Sequence, residues 1–194
     1  MHCDHCCMSA TKQGDDMSIE TFMAALENAD ECITIGGGEP TLHPKFWQFI
    51  GLALGSPNVS YIDIITNGSV KHTALALAGM TKKDVLGCRL STDYFHDYDM
   101  VDDSVRDAFA SLPNGTHDIT RGGQQEPILT GRWKENSDTG REGCTCSDFI
   151  VRPNGDVFAC DCDGSPKFGN VFDGLNIPDD WEYGECYKNQ HVSV

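Results

Sequence analysis

Cys32-Ile33-Thr34-Ile35-Gly36-Gly37-Gly38-Glu39-Pro40 is the stretch on which the reading of this chain turns. Its first four residues form a short strand-like run, and three glycines, a carboxylate and a proline then stop it at once. The same change occurs twice further on. A β-rich run from Val59 to Ile65 breaks at Thr66-Asn67-Gly68-Ser69, and a strand over Leu86 to Leu90 breaks at Ser91-Thr92-Asp93-Tyr94-Phe95-His96.

Helical spacing fills the intervals. Phe46, Phe49, Ile50 and Ala53 share one face of a helix whose first turn suits Pro44. A third helix is expected over Val70 to Ala78, ending at Gly79, and another buries Val101, Val105, Ala108, Phe109 and Leu112 before a last strand at His117 to Thr120. Upstream, Ser18 caps a helix with Ile19, Phe22, Met23 and Leu26 on one side. Strand, helix and strand in repetition predict an α/β fold with a parallel sheet and right-handed crossovers. The polar breaks then all lie at carboxyl ends of strands, the edge where such folds and barrels hold ligands.

The breaks have chemistry of their own. Gly36 to Gly38 lack the spacing of either phosphate-binding glycine motif. Glu39 sets a carboxylate beside exposed backbone, which suits a cationic group such as an amino-acid ammonium. Asn67-Gly68 alone describes a turn, and Asp93 with His96 alone describes a solvated loop.

Composition narrows the function classes. A chain of 194 residues is one domain, or one with an appendix. A net charge of −16 disfavours a phosphate-coating face, so no nucleic-acid partner is expected. No run approaches the roughly 20 apolar residues of a membrane helix, and Met1 to Gly14 lacks the apolar centre of a signal peptide; the expectation is a cytoplasmic protein without a membrane partner.

The ten cysteines carry the strongest signal. Cys3, Cys6 and Cys7 open the chain, and Cys144, Cys146, Cys160 and Cys162 gather near its end, a grouping that favours metal or cluster binding over a disulfide framework. Cys32 and Cys88 read as small buried residues in strands. Phe149 to Val151 and Val157 to Ala159 read as a hairpin closed by Arg152-Pro153-Asn154-Gly155-Asp156, which brings the flanking thiols together. Four such thiolates suit zinc or an iron–sulfur cluster equally well by ligand type.

Taken in order, these motifs resemble the radical S-adenosylmethionine (radical SAM) enzymes, whose C-x3-C-x-φ-C loop places three thiolates on a [4Fe–4S] cluster. Cys3-Asp4-His5-Cys6 matches the second half of that signature, with His5 in the φ place. Gly36-Gly37-Gly38-Glu39-Pro40 resembles the family's GGEP motif, Thr66-Asn67-Gly68 its third-strand motif, and Ser91 with Asp93 the fourth-strand polar groups. The resemblance implies a partial (β/α) barrel over residues 1–120. It makes Cys3 and Cys6 the catalytic cluster ligands, with Cys7 as a substitute metal ligand. The first cysteine of the signature would fall before Met1, so the chain reads as amino-terminally truncated, the alternative being a degenerate member.

The carboxyl-terminal part resembles the family's SPASM or twitch auxiliary-cluster region, which opens C-x9–15-G-x4-C: ten residues separate Cys144 from Gly155, and four separate Gly155 from Cys160. By that likeness residues 144–194 hold an auxiliary [4Fe–4S] cluster, or zinc, on Cys144, Cys146, Cys160 and Cys162, joined to the barrel by a linker or loop over residues 121–143. The resemblance further implies an oxidoreductase with S-adenosylmethionine, an electron donor and a peptide or protein substrate as partners. The competing classes are a non-catalytic zinc, iron–sulfur or redox-sensing module, and a small α/β hydrolase or transferase, for which no nucleophile and base stand at a suggestive spacing.

Overall fold

In the computed structural model, residues 4, 6, 9–82, 84–92, 96, 101–117, 130–140, 148–162, 164–182 and 186 are described. The chain divides into two compact units, one of Leu26–Gln125 and one of His2–Ala25 with Glu126–Val194.

In the first unit the strand–helix alternation is realised as β1 (Glu31–Ile35), a 3-10 turn (Pro40–Leu42), α2 (Phe46–Gly55), β2 (Val59–Thr66), α3 (Lys71–Met80), β3 (Leu86–Ser91), α4 (Asp103–Ala110) and β4 (Thr116–His117). The strands lie in the order β1-β2-β3-β4, and every neighbouring pair is parallel. Helices join these consecutive parallel neighbours, with α2 packed on β2 and with α3 and α4 packed on β3 and on each other.

The two faces differ in chemistry more than in burial, since Asp63 is buried at 8% exposure beside Ile62 and Ile64. Ile62, Ile64 and Thr66 alternate with Tyr61, Asp63 and Ile65 along β2, and their register partners Leu86, Cys88 and Leu90 continue the buried face on β3. These side chains and Phe46, Phe49, Ile50, Ala53, Ala74, Leu77, Val105 and Phe109 make the core. The opposite face is polar. Thr34 stands opposite Asp63 and Asp63 opposite Gly87, while Arg89 grips the Asp63 carboxylate with Nε at 3.2 Å and with Nη2. Gly87 admits the Tyr61 hydroxyl, since a Cβ there would lie 2.1 Å from Tyr61 Oη. Pairing with the guanidinium is what lets a carboxylate stay buried on that face.

Most expected elements stand where periodicity placed them. Ser18 Oγ accepts from Thr21 N at 3.0 Å and so caps α1 (Ile19–Glu27). Two expectations are corrected. Helix α3 runs through Gly79 to Met80, because the stop is made at Thr81, whose amide and hydroxyl bond back to Leu77 O. Cys32 is exposed at the edge of the sheet, whereas Cys88 is buried as read. The strand expected over 117–120 is seen at Thr116–His117, and residues 118–120 lie outside the described residues.

The second unit contains α5 (Gly131–Asn136) and an antiparallel sheet of β5 (Ile150–Val151), β6 (Asp156–Phe158), β7 (Lys167–Asn170) and β8 (Gly174–Leu175), in that order. The turn read from Arg152 to Asp156 forms as expected, with Gly155 at φ 87° and Val151 opposite Val157. A small core of Ala159, Cys160, Phe168 and Trp181 sits behind it, flanked by Phe149, Cys162 and Ile177. Trp181 meets Phe168 edge-on at 4.8 Å between ring centres. The tail thus supplies a core aromatic to the hairpin sheet, and α5 occupies part of the stretch read as a linker.

Candidate functional site at the strand ends

The carboxyl edge of the parallel sheet gathers Gly36 to Pro40 after β1, Thr66 and Asn67 at the end of β2, and Ser91 at the end of β3. Gly37 takes φ 117°, a conformation that favours glycine, and a Cβ on Gly36 would meet nothing within 4 Å, so its backbone faces open space. The chain then turns inward. Glu39 and Pro40 are buried while the three glycines are exposed.

The Glu39 carboxylate is the hub of this edge. Its Oε1 accepts from Thr41 N at 3.2 Å, Thr41 Oγ1 at 2.5 Å and Thr66 Oγ1 at 2.7 Å, and its Oε2 accepts from Asn67 N at 2.8 Å. Thr66 Oγ1 in turn accepts from Gly68 N at 3.1 Å. The carboxylate therefore staples the glycine turn to the end of β2. A carboxylate offers about four lone-pair positions, two per oxygen. Oε1 is saturated, and Oε2 retains acceptor capacity for one further donor.

Asn67 Oδ1 accepts from Ser69 N at 2.9 Å, closing the Thr66-Asn67-Gly68 turn. Gly68, at φ 73°, presses on the core: a Cβ there would stand 2.7 Å from Leu90 Cδ1 and 3.0 Å from Val101 Cγ1. Ser91 is buried at the same edge. Asp93, also expected here, lies outside the described residues.

Of the amino-terminal cysteines, Cys3 and Cys7 lie outside the described residues, as does His5. Cys6 is a half-buried free thiol in the second unit, and its Sγ accepts from Ala10 N at 3.3 Å. Helix α5 holds this loop through its carbonyls. Arg132 N donates to Cys6 O at 3.0 Å, Arg132 Nη2 to Ala10 O at 2.6 Å, and Asn136 Nδ2 to Asp4 O at 3.1 Å. Sequence reading missed Arg132 and Thr41; the glycine-rich composition around the first hid a helix, and the second stood next to a motif whose edge was set at Pro40.

In the same unit Cys160 and Cys162 follow β6, the first buried and the second half-buried. Ser165 Oγ accepts from Cys160 N at 3.0 Å, and Ser165 N donates to Cys162 O at 3.1 Å, so the short loop after Cys160 closes on itself. Asp161 between them pairs with Arg152 at 2.7 Å; burial pushes its carboxyl up, against the pull of the guanidinium. Cys144 and Cys146 lie outside the described residues, and among the described residues no group of three His, Cys, Asp or Glu side chains forms a metal cage. No helix among the described residues is long and apolar enough to cross a membrane.

A parallel sheet crossed by helices, with a polar, carboxylate-locked edge at its strand ends, places the first unit among the α/β folds. The comparison with solved structures agrees. The chain is similar in fold to BtrN, a radical SAM enzyme whose crystal structure is in complex with AdoMet and 2-DOIA, at a TM-score of 0.57 and 18% identity, over 90% of this chain and 74% of that one. No family model matches the chain, and no curated protein does.

Proposed function

We propose that this chain is a radical SAM enzyme, or a piece of one, that binds S-adenosylmethionine at the carboxyl edge of its parallel sheet. The observation that carries the reading is the Glu39 carboxylate, which joins the glycine turn to Thr66 and Asn67 and keeps one acceptor position on Oε2. An amino-acid ammonium needs an anionic acceptor and backbone carbonyls around it; Oε2 and the open backbone of Gly36 to Gly38 supply both. Thr66, Asn67, Ser91 and Asp93 are assigned to the ribose, the carboxylate and the substrate, and Pro40 to the wall of the cofactor site; His5 is assigned to cofactor binding by the family resemblance alone.

Cys3 and Cys6, with Cys7 beside them, are the proposed ligands of a [4Fe–4S] cluster. Cys6 fits that role by its chemistry, a free thiol whose sulfur already accepts an amide hydrogen bond. When bound and reduced, such a cluster supplies the electron that splits S-adenosylmethionine into methionine and a 5′-deoxyadenosyl radical, which takes a hydrogen atom from the substrate. The chain's own work is orientation and exclusion of water. The net charge of −16 favours a neutral or basic substrate, such as a peptide, over an acidic one.

Cys144, Cys146, Cys160 and Cys162 are proposed to hold an auxiliary [4Fe–4S] cluster. Trp181 supports this: its Nε1 is buried in the core that contains Cys160 and has no acceptor among the described residues, a donor that a sulfur-rich group would satisfy. Anaerobic reconstitution with iron and sulfide tests the reading, with about four irons expected per cluster formed. A colourless protein that takes up zinc in place of iron would overturn it.

A further inference from the structure

We propose that Arg132 is the positioning residue of the cysteine loop, a clamp that fixes the backbone at Cys6 and Ala10 and thereby the place of the Cys6 sulfur. What that sulfur ligates rests on the radical SAM reading; the clamp itself does not.

Three carbonyls of the loop, on Asp4, Cys6 and Ala10, each accept a hydrogen bond from α5, and two of the three donors belong to Arg132. Its side chain is buried to 5% exposure, which a guanidinium tolerates only against anchoring acceptors. The bond to Ala10 O, at 2.6 Å, is charge-assisted. Ala10 then donates its own amide to Cys6 Sγ, and Ser9 between them takes φ 50°, a left-handed turn that a serine keeps only when its neighbours hold it. The guanidinium thus holds Ala10, Ala10 holds the sulfur, and the Arg132 amide holds the Cys6 carbonyl. Lysine could reach the Ala10 carbonyl, but through a flexible stem and a compact ammonium rather than a rigid planar guanidinium.

Amide hydrogen exchange in the metal-free protein isolates the clamp from any cluster. In Arg132→Met the Ala10 amide is expected to exchange roughly 10- to 100-fold faster than in the wild type, the factor a lost charged hydrogen bond implies. Arg132→Lys should recover part of that protection. The Ala159 amide, which donates to Pro166 O at 3.1 Å in the same unit, should not change. Unchanged exchange at Ala10 overturns the proposal. Equal acceleration at Ala10 and Ala159 overturns it too, because that is general loosening of the unit.

If Arg132→Met does not fold, Arg132→Lys and Asn136→Ala decide. Each should speed exchange in the loop while leaving Ala159 alone, and no change in both variants rejects the clamp. After reconstitution, Arg132→Met should retain less iron than the wild type and Arg132→Lys an intermediate amount. A wild-type protein that forms no cluster while Arg132 still governs Ala10 exchange would sink the radical SAM reading and leave the clamp standing.

Discussion

Glu39 and Thr66, 27 residues apart in the chain, share a 2.7 Å hydrogen bond that ties the turn after the first strand of the parallel sheet to the end of the second. Thr66 is 1% exposed, so its hydroxyl and the carboxylate it serves are sealed from water on that side. In Thr66→Val the carboxylate loses a donor it cannot replace with solvent. Stability should fall by about 1–3 kcal/mol, read from urea unfolding, with Thr66→Ser recovering most of it. Because the same bond orients Oε2, affinity for S-adenosylmethionine should fall in the valine variant as well.

Cys88 gives the first unit a pH dependence on the alkaline side. Burial, then the negative charges of Asp63 and Glu39, push its thiol up to about 12 from an ordinary 9.0. The folded state therefore holds a proton that the unfolded chain releases. Its contribution to stability is complete below pH about 9 and is lost as pH rises from there towards 12. The stability difference between pH 8 and pH 10.5 should be smaller in Cys88→Ala than in the wild type. In the native protein, maleimide should label the exposed Cys32 and spare Cys88.

Asp102 acts on the acid side. Hydrogen bonds from Lys71 and Ser104 lower its carboxyl to about 2, and its Oδ1 caps the first turn of α4. A depressed folded pKa stabilises above the unfolded value and is lost as pH falls from about 4 towards 2. Thermal unfolding should show Asp102→Asn less stable than the wild type at pH 7, with the two converging near pH 2.

Gly68 has no room for a side chain and takes a left-handed conformation. Gly68→Ala should destabilise by roughly 1–3 kcal/mol through strain and the clash with Leu90 and Val101, measured by urea unfolding. Since the turn carries Asn67, ligand affinity should weaken further than stability alone explains.

The parallel architecture was legible because each amphipathic helix and each β-branched run declared its own period, and the strand order follows from short right-handed connections. Glu39 was legible as important but not as a staple, since its partners Thr66 and Asn67 reach it only once β1 and β2 pair. Helix α5 was hidden for a similar reason. Its six residues carry no apolar stripe, and it is held by Arg132 and Asn136 bonding to a loop more than a hundred residues away in the chain. Strands β7 and β8 are short and glycine-rich, so they acquire identity only from pairing with β6.

The central claim, that the stapled strand edge presents S-adenosylmethionine for reductive cleavage, is tested most directly by product analysis. The anaerobically reconstituted protein is reduced with dithionite, incubated with S-adenosylmethionine and assayed for 5′-deoxyadenosine and methionine. The two products are expected in equal amounts, and Glu39→Gln should make markedly less of both. A protein that carries its cluster yet leaves S-adenosylmethionine intact would contradict it.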